Sequence, residues 1–174
     1  MKLKNGREIV IRNAEKKDAQ QLIDYLKTVR GESDNLLAGA NDPLISVEQE
    51  EVFLESFSNA KTSVFLVGLI DDIIVCTGSV SGNTRERNSH HGSIAVSVLK
   101  EYWGIGVGTA LMNALIDFAK NTGKLEILHL GVKADNTRGI NLYKKTGFEE
   151  IGRFPKYFKI NGKYYDEILM NLYF

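Results

Sequence analysis

The sequence predicts an α/β protein: a central mixed, mostly antiparallel sheet of about seven strands flanked by about four helices. Three observations carry this. Alternating β-branched runs and helically periodic apolar runs interleave along the chain in the order β-α-α-β-β-β-α-β-α-β-β. Asp71-Asp72 and Asn161-Gly162 each sit between two strand-like runs and read as hairpin turns. From Ser93 to Ala119 a strand-like alternation passes through Gly104, Gly106 and Gly108 straight into an apolar-periodic helix.

The first strand is Glu8 to Arg12, EIVIR. A helix follows from Glu15 to Val29, where Ala19, Leu22, Ile23, Leu26 and Val29 recur at helical spacing, with Asn13 as its expected cap. Gly31 to Ile45 has no period and reads as a break. Ser46 to Gln49 fits a capping box that opens a second helix carrying Phe53, Leu54 and Phe57. Ser63–Ile70 and Ile73–Ser81 form the first hairpin, and Gly82 to Asn88 is a polar loop. The next strand is His91–Val98, followed by the glycine loop and a helix from Gly106 to Thr122 closed by Gly123. Leu125–Val132 is a strand, and a short helix after Lys133–Asn136 ends at Gly147. Phe148–Phe158 and Lys163–Phe174 form the closing hairpin.

Composition narrows the function. A chain of 174 residues reads as one domain, 1–174, able to bury roughly 70% of the surface its unfolded form exposes. With 22 basic and 22 acidic residues, it has no electrostatic footprint of a nucleic-acid or membrane-surface binder. The single cysteine, Cys76, lies in an apolar run, which excludes a disulfide framework or multi-cysteine metal site and marks it as a small core residue. No run reaches the ~18 apolar residues of a membrane span, so a soluble, unprocessed, cytoplasmic protein is expected, with no metal.

The glycine loop is an anion cradle in outline. The first turn of a helix presents unpaired N–H groups and partial positive charge, and glycine lets a ligand approach the backbone closely. Two familiar phosphate motifs fail: there is no Gly-Lys-Ser/Thr ending, and Thr109 stands where the dinucleotide fingerprint needs its third glycine. What remains, Trp103-Gly104-Ile105-Gly106-Val107-Gly108, resembles the signature of the GNAT superfamily of N-acetyltransferases, in which Gln or Arg is followed by two residues, Gly, any residue, and Gly or Ala. Trp103 departs from the usual Gln or Arg, which leaves the loop dependent on backbone N–H groups and helix polarity. Downstream, NTRGINLYKKTGF from Asn136 to Phe148 resembles the family's Asn-x-x-Ala-x-x-x-Tyr-x-x-x-Gly-Phe segment, with Gly139 for alanine. The tail resembles the closing hairpin of the ribosomal-protein and small-amine branch.

The resemblance implies a GNAT-like acyl-CoA N-acyltransferase fold with acetyl-CoA as cosubstrate. It implies that the His91–Val98 strand diverges from a parallel neighbour at Leu125–Val132, leaving a slot in which backbone groups of Val96 and Val98, with Ser97 between them, hold the pantetheine arm. Trp103, Gly104, Ile105, Gly106, Val107, Gly108 and Thr109 would hold the pyrophosphate, and Asn136 would bond the cofactor through its amide, although it serves equally as a helix cap. Lys144 and Lys145 stand near the diphosphate and adenosine end, where a solvated helix face explains them as well; Lys145 is the expected contact of the two. Tyr143 matches the family's general acid, since a phenol of pKa about 10 can protonate a departing thiolate. The Val98 N–H is the expected oxyanion donor.

The general base has no clear counterpart, because HHGSIAVSV lacks the Glu that some members carry on this strand. His90 and His91 are candidates because His titrates near neutrality, and Glu32 is another, as an amine-binding carboxylate. His129 reads as structural. Three function classes follow: an acetyl-CoA-dependent N-acetyltransferase attacking directly from a primary amine of a small molecule or protein N-terminus; a non-catalytic acyl-CoA-binding module; and, more weakly, another nucleotide-binding fold. Gly31–Ile45 and the Tyr157–Tyr165 hairpin are expected to set the acceptor, and Ile168, Leu169, Met170 and Leu172 offer an apolar strand for a homodimer.

Overall fold

In the computed structural model, which describes residues 1–174, seven strands and four α-helices follow one another as β1 (Val10–Asn13), α1 (Ala19–Glu32), α2 (Val47–Ser58), β2 (Ser63–Ile70), β3 (Ile73–Gly82), β4 (His91–Val98), α3 (Val107–Asn121), β5 (Ile127–Lys133), α4 (Thr137–Lys145), β6 (Glu149–Ile160) and β7 (Lys163–Tyr173). The strands form one sheet in the order β1-β2-β3-β4-β5-β7-β6. Every neighbouring pair is antiparallel except β4 with β5. That exception follows from connectivity, since α3 intervenes and supplies the crossover a parallel pair needs.

Helices cover both faces. α3 buries Val107, Leu111, Met112, Leu115 and Ala119 completely against the larger core, which includes Val75, Val80, Ile94, Leu128, Leu130 and Met170. α1 and α2 close the opposite face of β2 and β3 through Leu22, Tyr25, Val29, Leu54, Val67 and Ile74. Both hairpin turns use left-handed residues, Asp71 and Asp72 at φ 51 and 62, and Asn161 and Gly162 at φ 48 and 78, a backbone that matches the twist of the paired strands.

Several boundaries differ from expectation. Asn13 ends β1 rather than capping a helix. The chain turns through a 3-10 segment, Lys16–Asp18, whose reciprocal cap joins Glu15 and Asp18, because Asp18 is fixed from outside the turn by the Arg12 guanidinium at 2.6 and 2.8 Å. α1 runs on to Glu32, past the expected end at Val29. The Ser46/Gln49 capping box forms as read. The final strand is not a free apolar face: Ile168 and Met170 are core, leaving Leu169 and Leu172 half-buried. Cys76 is a buried core thiol. No helix is long and apolar enough to cross a membrane.

Candidate active site

The site begins where two strands part. β5 pairs with β4 only over His91–Ser93 and Ile127–His129, whereas β3 stays paired with β4 as far as Val98. At the two ends of that antiparallel ladder Asn83 N–H donates to the His91 carbonyl and Leu99 N–H to the Val75 carbonyl. Residues of odd number on β4 therefore exchange N–H and C=O with β3, and those of even number turn theirs toward β5. With β5 gone beyond His129, both backbone groups of Val96 and the N–H of Val98 open into a gap, with the Ile94 carbonyl at its closed end.

That gap is part of a cleft of about 500 Å³ whose walls include Ile94 to Val98 of β4, Leu130, Gly131 and Val132 of β5, the glycine loop, and Asn136, Leu142, Tyr143 and Lys145 of α4. Eleven of the thirteen expected cofactor contacts line the cleft; Ile105 and Val107 belong to the glycine loop without lining it, and Lys144 does not line it. Ser97 differs from its neighbours: its backbone faces β3, and its Oγ lies 2.8 Å from the Tyr25 hydroxyl and 3.0 Å from Thr77 Oγ1 on the α1 face. Its polar groups are turned away from the gap.

At the mouth, Gly104 and Gly106 have φ 81 and 106, a backbone region that L side chains disfavour. Gly106 is the N-cap of α3 and supplies no side-chain cap. The Ala110 N–H is bonded to the Gly106 carbonyl, so the N–H groups of Val107, Gly108 and Thr109 are the unpaired donors of the first turn. Gly108 is glycine for a packing reason as well, because a Cβ there would stand 3.1 Å from Leu142.

Trp103 shows how this chain manages without Gln or Arg at the start of its glycine motif. Its indole Nε1–H donates to the Val98 carbonyl at 2.8 Å, and the Arg138 guanidinium lies 4.7 Å from the centre of its ring. Arg138 also approaches Gly104, Nη1 standing 3.9 Å from where a Cβ would be, and it makes no ion pair within the chain. A cation thus reaches the loop from α4 instead of from position 103. Arg138 was not among the residues singled out in the sequence, nor was Lys4, which lines the cleft and whose N–H donates to the Ile105 carbonyl.

On α4, Asn136 Oδ1 accepts from Gly139 N–H at 3.0 Å, so the residue caps the helix. Glycine at 139 permits this, since a Cβ would come within 2.7 Å of Asn136 Nδ2. The Nδ2 donor remains without a partner in the chain. Tyr143 faces the cleft with its ring 6.1 Å from Phe148; burial alone pushes its phenol up to about 12, with no hydrogen bond to offset it.

The three base candidates do not reach this gap. His91 starts β4, and at about 3.3 Å per residue it stands roughly 13 Å along the strand from Ala95. Its ring faces His90 and His129 instead, with centroids at 4.3 Å from the His90 ring to the His91 ring and 6.4 Å from His91 to His129. Burial and the nearby His91 push His129 down. Glu32 is not in a loop: it is the last residue of α1 and accepts from Lys100 N–H at 2.7 Å, tying α1 to the turn before the glycine loop.

A sheet split beside an uncapped, glycine-started helix offers a slot for an extended arm with an anion cradle at its mouth. Residues 34–148 match the profile of the Acetyltransferase (GNAT) family, and the chain belongs to that family. It is 28% identical to an L-amino acid N-acetyltransferase of Escherichia coli over 94% of this chain and 96% of that one. It is 30% identical to an N-alpha-acetyltransferase of Sulfurisphaera tokodaii, covering 89% of each. A crystal structure of a GNAT-family acetyltransferase from Streptococcus pneumoniae superposes with a TM-score of 0.93 at 30% identity, over 96% of this chain and all of that one. The chain is an acetyl-CoA-dependent N-acetyltransferase.

Proposed function

We propose that the chain, acting as one catalytic domain over residues 1–174, moves the acetyl group of acetyl-CoA directly to a primary amine of a small molecule or a protein N-terminus. The observation that carries this reading is the open ladder at Val96 and Val98 with the unpartnered Tyr143 phenol beside it. The E. coli and S. tokodaii relatives, named for acetylation of L-amino acids and of N-terminal α-amines, favour an α-amino group.

In this reading the pyrophosphate rests on the N–H groups of Val107, Gly108 and Thr109, with Arg138 over Trp103 and with Lys4 and Lys145 nearby. The arm lies along β4 and replaces the missing strand pairing, and Asn136 Nδ2 offers it a further donor. The oxyanion donor moves from Val98 to Val96. Val98 adjoins the glycine loop through Trp103, and the arm between pyrophosphate and sulfur is too long to end there, whereas the Val96 N–H lies one strand repeat deeper. Tyr143, a phenol protonated at neutral pH and held further from ionisation by burial, gives its proton to the departing sulfur. A homodimer would use half-buried Leu169 with exposed Phe154, on the face of β6 and β7 away from α3, and sedimentation velocity separates it from a monomer. We place the enzyme in the cytoplasm, where acetyl-CoA is at hand.

The test is a mass-spectrometric panel of free L-amino acids, short peptides with varied N-termini and polyamines, each with acetyl-CoA. A mass gain of one acetyl group on an α-amine supports the reading, and Tyr143→Phe should lower kcat about 100-fold with acetyl-CoA affinity unchanged. A wild-type protein that binds acetyl-CoA and acetylates nothing would overturn it.

A further inference from the structure

Resting on that reading, we propose that Glu167 is the carboxylate that receives the acceptor's ammonium group and takes its proton. Glu167 lies on β7, opposite Lys133 of β5 and Phe154 of β6. Its side chain leans diagonally onto Gly131: a Cβ on Gly131 would come within hard contact of Glu167 Oε1 and Cδ. Gly131 lines the cleft and is exposed, so the carboxylate stands at the edge of the gap between β4 and β5.

The face is the right one for an amine. Val96, whose β3 partner is Gly78, lies on the α3 side, because a Cβ on Gly78 would meet Leu111 and Leu115. Ala95 and Ser97 point the other way, Ser97 toward Tyr25 of α1. On β5, Leu128, Leu130 and Val132 enter the α3-side core, which leaves His129, Gly131 and Lys133 on the opposite face with Ala95. Ser93 and His129 are the last paired residues. Two steps further along, Ala95 and Gly131 would have faced each other had the ladder continued. Both are small and exposed, so the split sheet has an aperture there, and Glu167 borders it.

The carboxylate is also free to act. The one ammonium directly opposite, that of Lys133, is held by Asp135 at 2.7 Å and lies 3.9 Å from the centre of the Tyr165 ring. On β6, Arg153 is engaged with Asp166, and Phe154 brings no charge. β4 presents only Ala95 and Ser93 across the aperture, and His129 is two residues away along β5. Glu167 makes no ion pair or hydrogen bond, and burial pushes its carboxyl up. A half-buried carboxylate without a partner is a costly group to keep, and an ammonium ligand removes that cost.

The chemistry balances. R–NH3⁺ gives one proton to Glu167 and becomes R–NH2, whose lone pair forms the C–N bond at the thioester carbonyl carbon. The C–S bond breaks with its electron pair on sulfur, which takes the Tyr143 proton. The second proton leaving nitrogen restores Tyr143 through solvent, and Glu167 returns its own to water.

The experiment uses the full chain with the best amine from the panel. Glu167→Gln should lower kcat/KM at neutral pH about 100-fold or more, move its acidic limb up toward the pKa of the free amine, and leave acetyl-CoA affinity by calorimetry unchanged. Glu167→Asp should restore part of the activity and the acidic limb. Gly131→Ala, which puts a methyl where the carboxylate lies, should lower kcat/KM as well. A Gln variant with wild-type kcat/KM and an intact acidic limb would overturn the proposal. If the wild type acetylates no amine, the function reading fails by itself, and the carboxylate is judged by carbon-13 NMR of glutamate-labelled protein saturated with CoA. The Glu167 carboxyl signal, assigned by its loss in the Gln variant, should titrate above ordinary glutamates and shift on adding propylammonium. A signal indifferent to propylammonium overturns the role.

Discussion

Gly106→Ala separates the two things a glycine does at the start of α3. At φ 106, with the nearest atom to a new Cβ being Leu3 Cδ2 at 3.9 Å, alanine meets no steric wall, so its cost is conformational, about 1–3 kcal/mol. In a domain of this length each kcal/mol moves Tm by about 2–4 °C, which gives a loss of several degrees. The strain is relieved by rotating the loop, and that rotation tilts the unpaired N–H groups of Val107, Gly108 and Thr109 away from a bound anion. Losing one charge-assisted hydrogen bond, about 1.5–3 kcal/mol, weakens acetyl-CoA binding about 10- to 150-fold.

Gly123 provides the control at the other end of the same helix. It is also left-handed, at φ 62, with nothing within 4 Å of a new Cβ, so Gly123→Ala costs about 1–2 kcal/mol without touching the loop. Thermal unfolding and isothermal calorimetry on both variants decide the matter. Both should melt earlier, and only Gly106→Ala should lose acetyl-CoA affinity. If Gly106→Ala binds like the wild type, or if both variants lose affinity equally, the glycine loop is not the pyrophosphate cradle.

Two further outcomes are expected. Arg138→Ala should weaken acetyl-CoA about tenfold or more and flatten the salt dependence of binding, with Tm almost unchanged because the side chain has no ion-pair partner to strand; calorimetry at two salt concentrations reads this. Asp18→Asn should destabilise the fold by about 2–3 kcal/mol, since Asp18 accepts two bonds from Arg12 and one from Glu15 N–H. The Arg12 guanidinium holds the Asp18 carboxyl below its ordinary range. The stability it contributes is therefore complete above the unfolded-state pKa and disappears as pH falls through the lower folded-state value. Urea melts from neutral to acidic pH should show the wild type losing this increment and the variant lacking it throughout.

What the sequence made readable was local. The glycine loop, the Ser46 capping box and both hairpin turns are written within a few consecutive residues, because backbone sign and helix-end hydrogen bonds are decided at that range. Tyr143 was legible through its fixed spacing from Asn136 on one short helix. The failures depend mostly on partners distant in the chain. Asn13 is the local exception, displaced as a cap by the Arg12–Asp18 pair six residues apart, whereas Glu32 reads as a free loop carboxylate although Lys100, far along the chain, occupies it. His91 opens the right strand and His90 precedes it, both far from the gap, a fact that emerges only when the point of divergence from β5 is known. Arg138 became visible once α4 was packed against Trp103, which no pattern around either residue discloses.

The parting of β4 from β5 leads to one more measurable consequence. A strand inside a sheet ordinarily satisfies both edges, yet β4 keeps its β3 edge intact as far as Val98 and gives up its β5 edge after Ser93. The alternation of the antiparallel ladder then divides consecutive amides into two populations. Those of Ala95 and Ser97 are bonded to β3, whereas those of Val96 and Val98 face the gap. If the pantetheine arm takes the place of the missing strand, saturating acetyl-CoA should slow hydrogen exchange at Val96 and Val98 by orders of magnitude and leave Ala95 and Ser97 nearly as they were. Exchange monitored by NMR resolves single amides and can tell the two populations apart. Equal slowing at all four positions would mean that the ligand merely stiffens the strand, and the argument from the open ladder would fail even with acetyl-CoA bound.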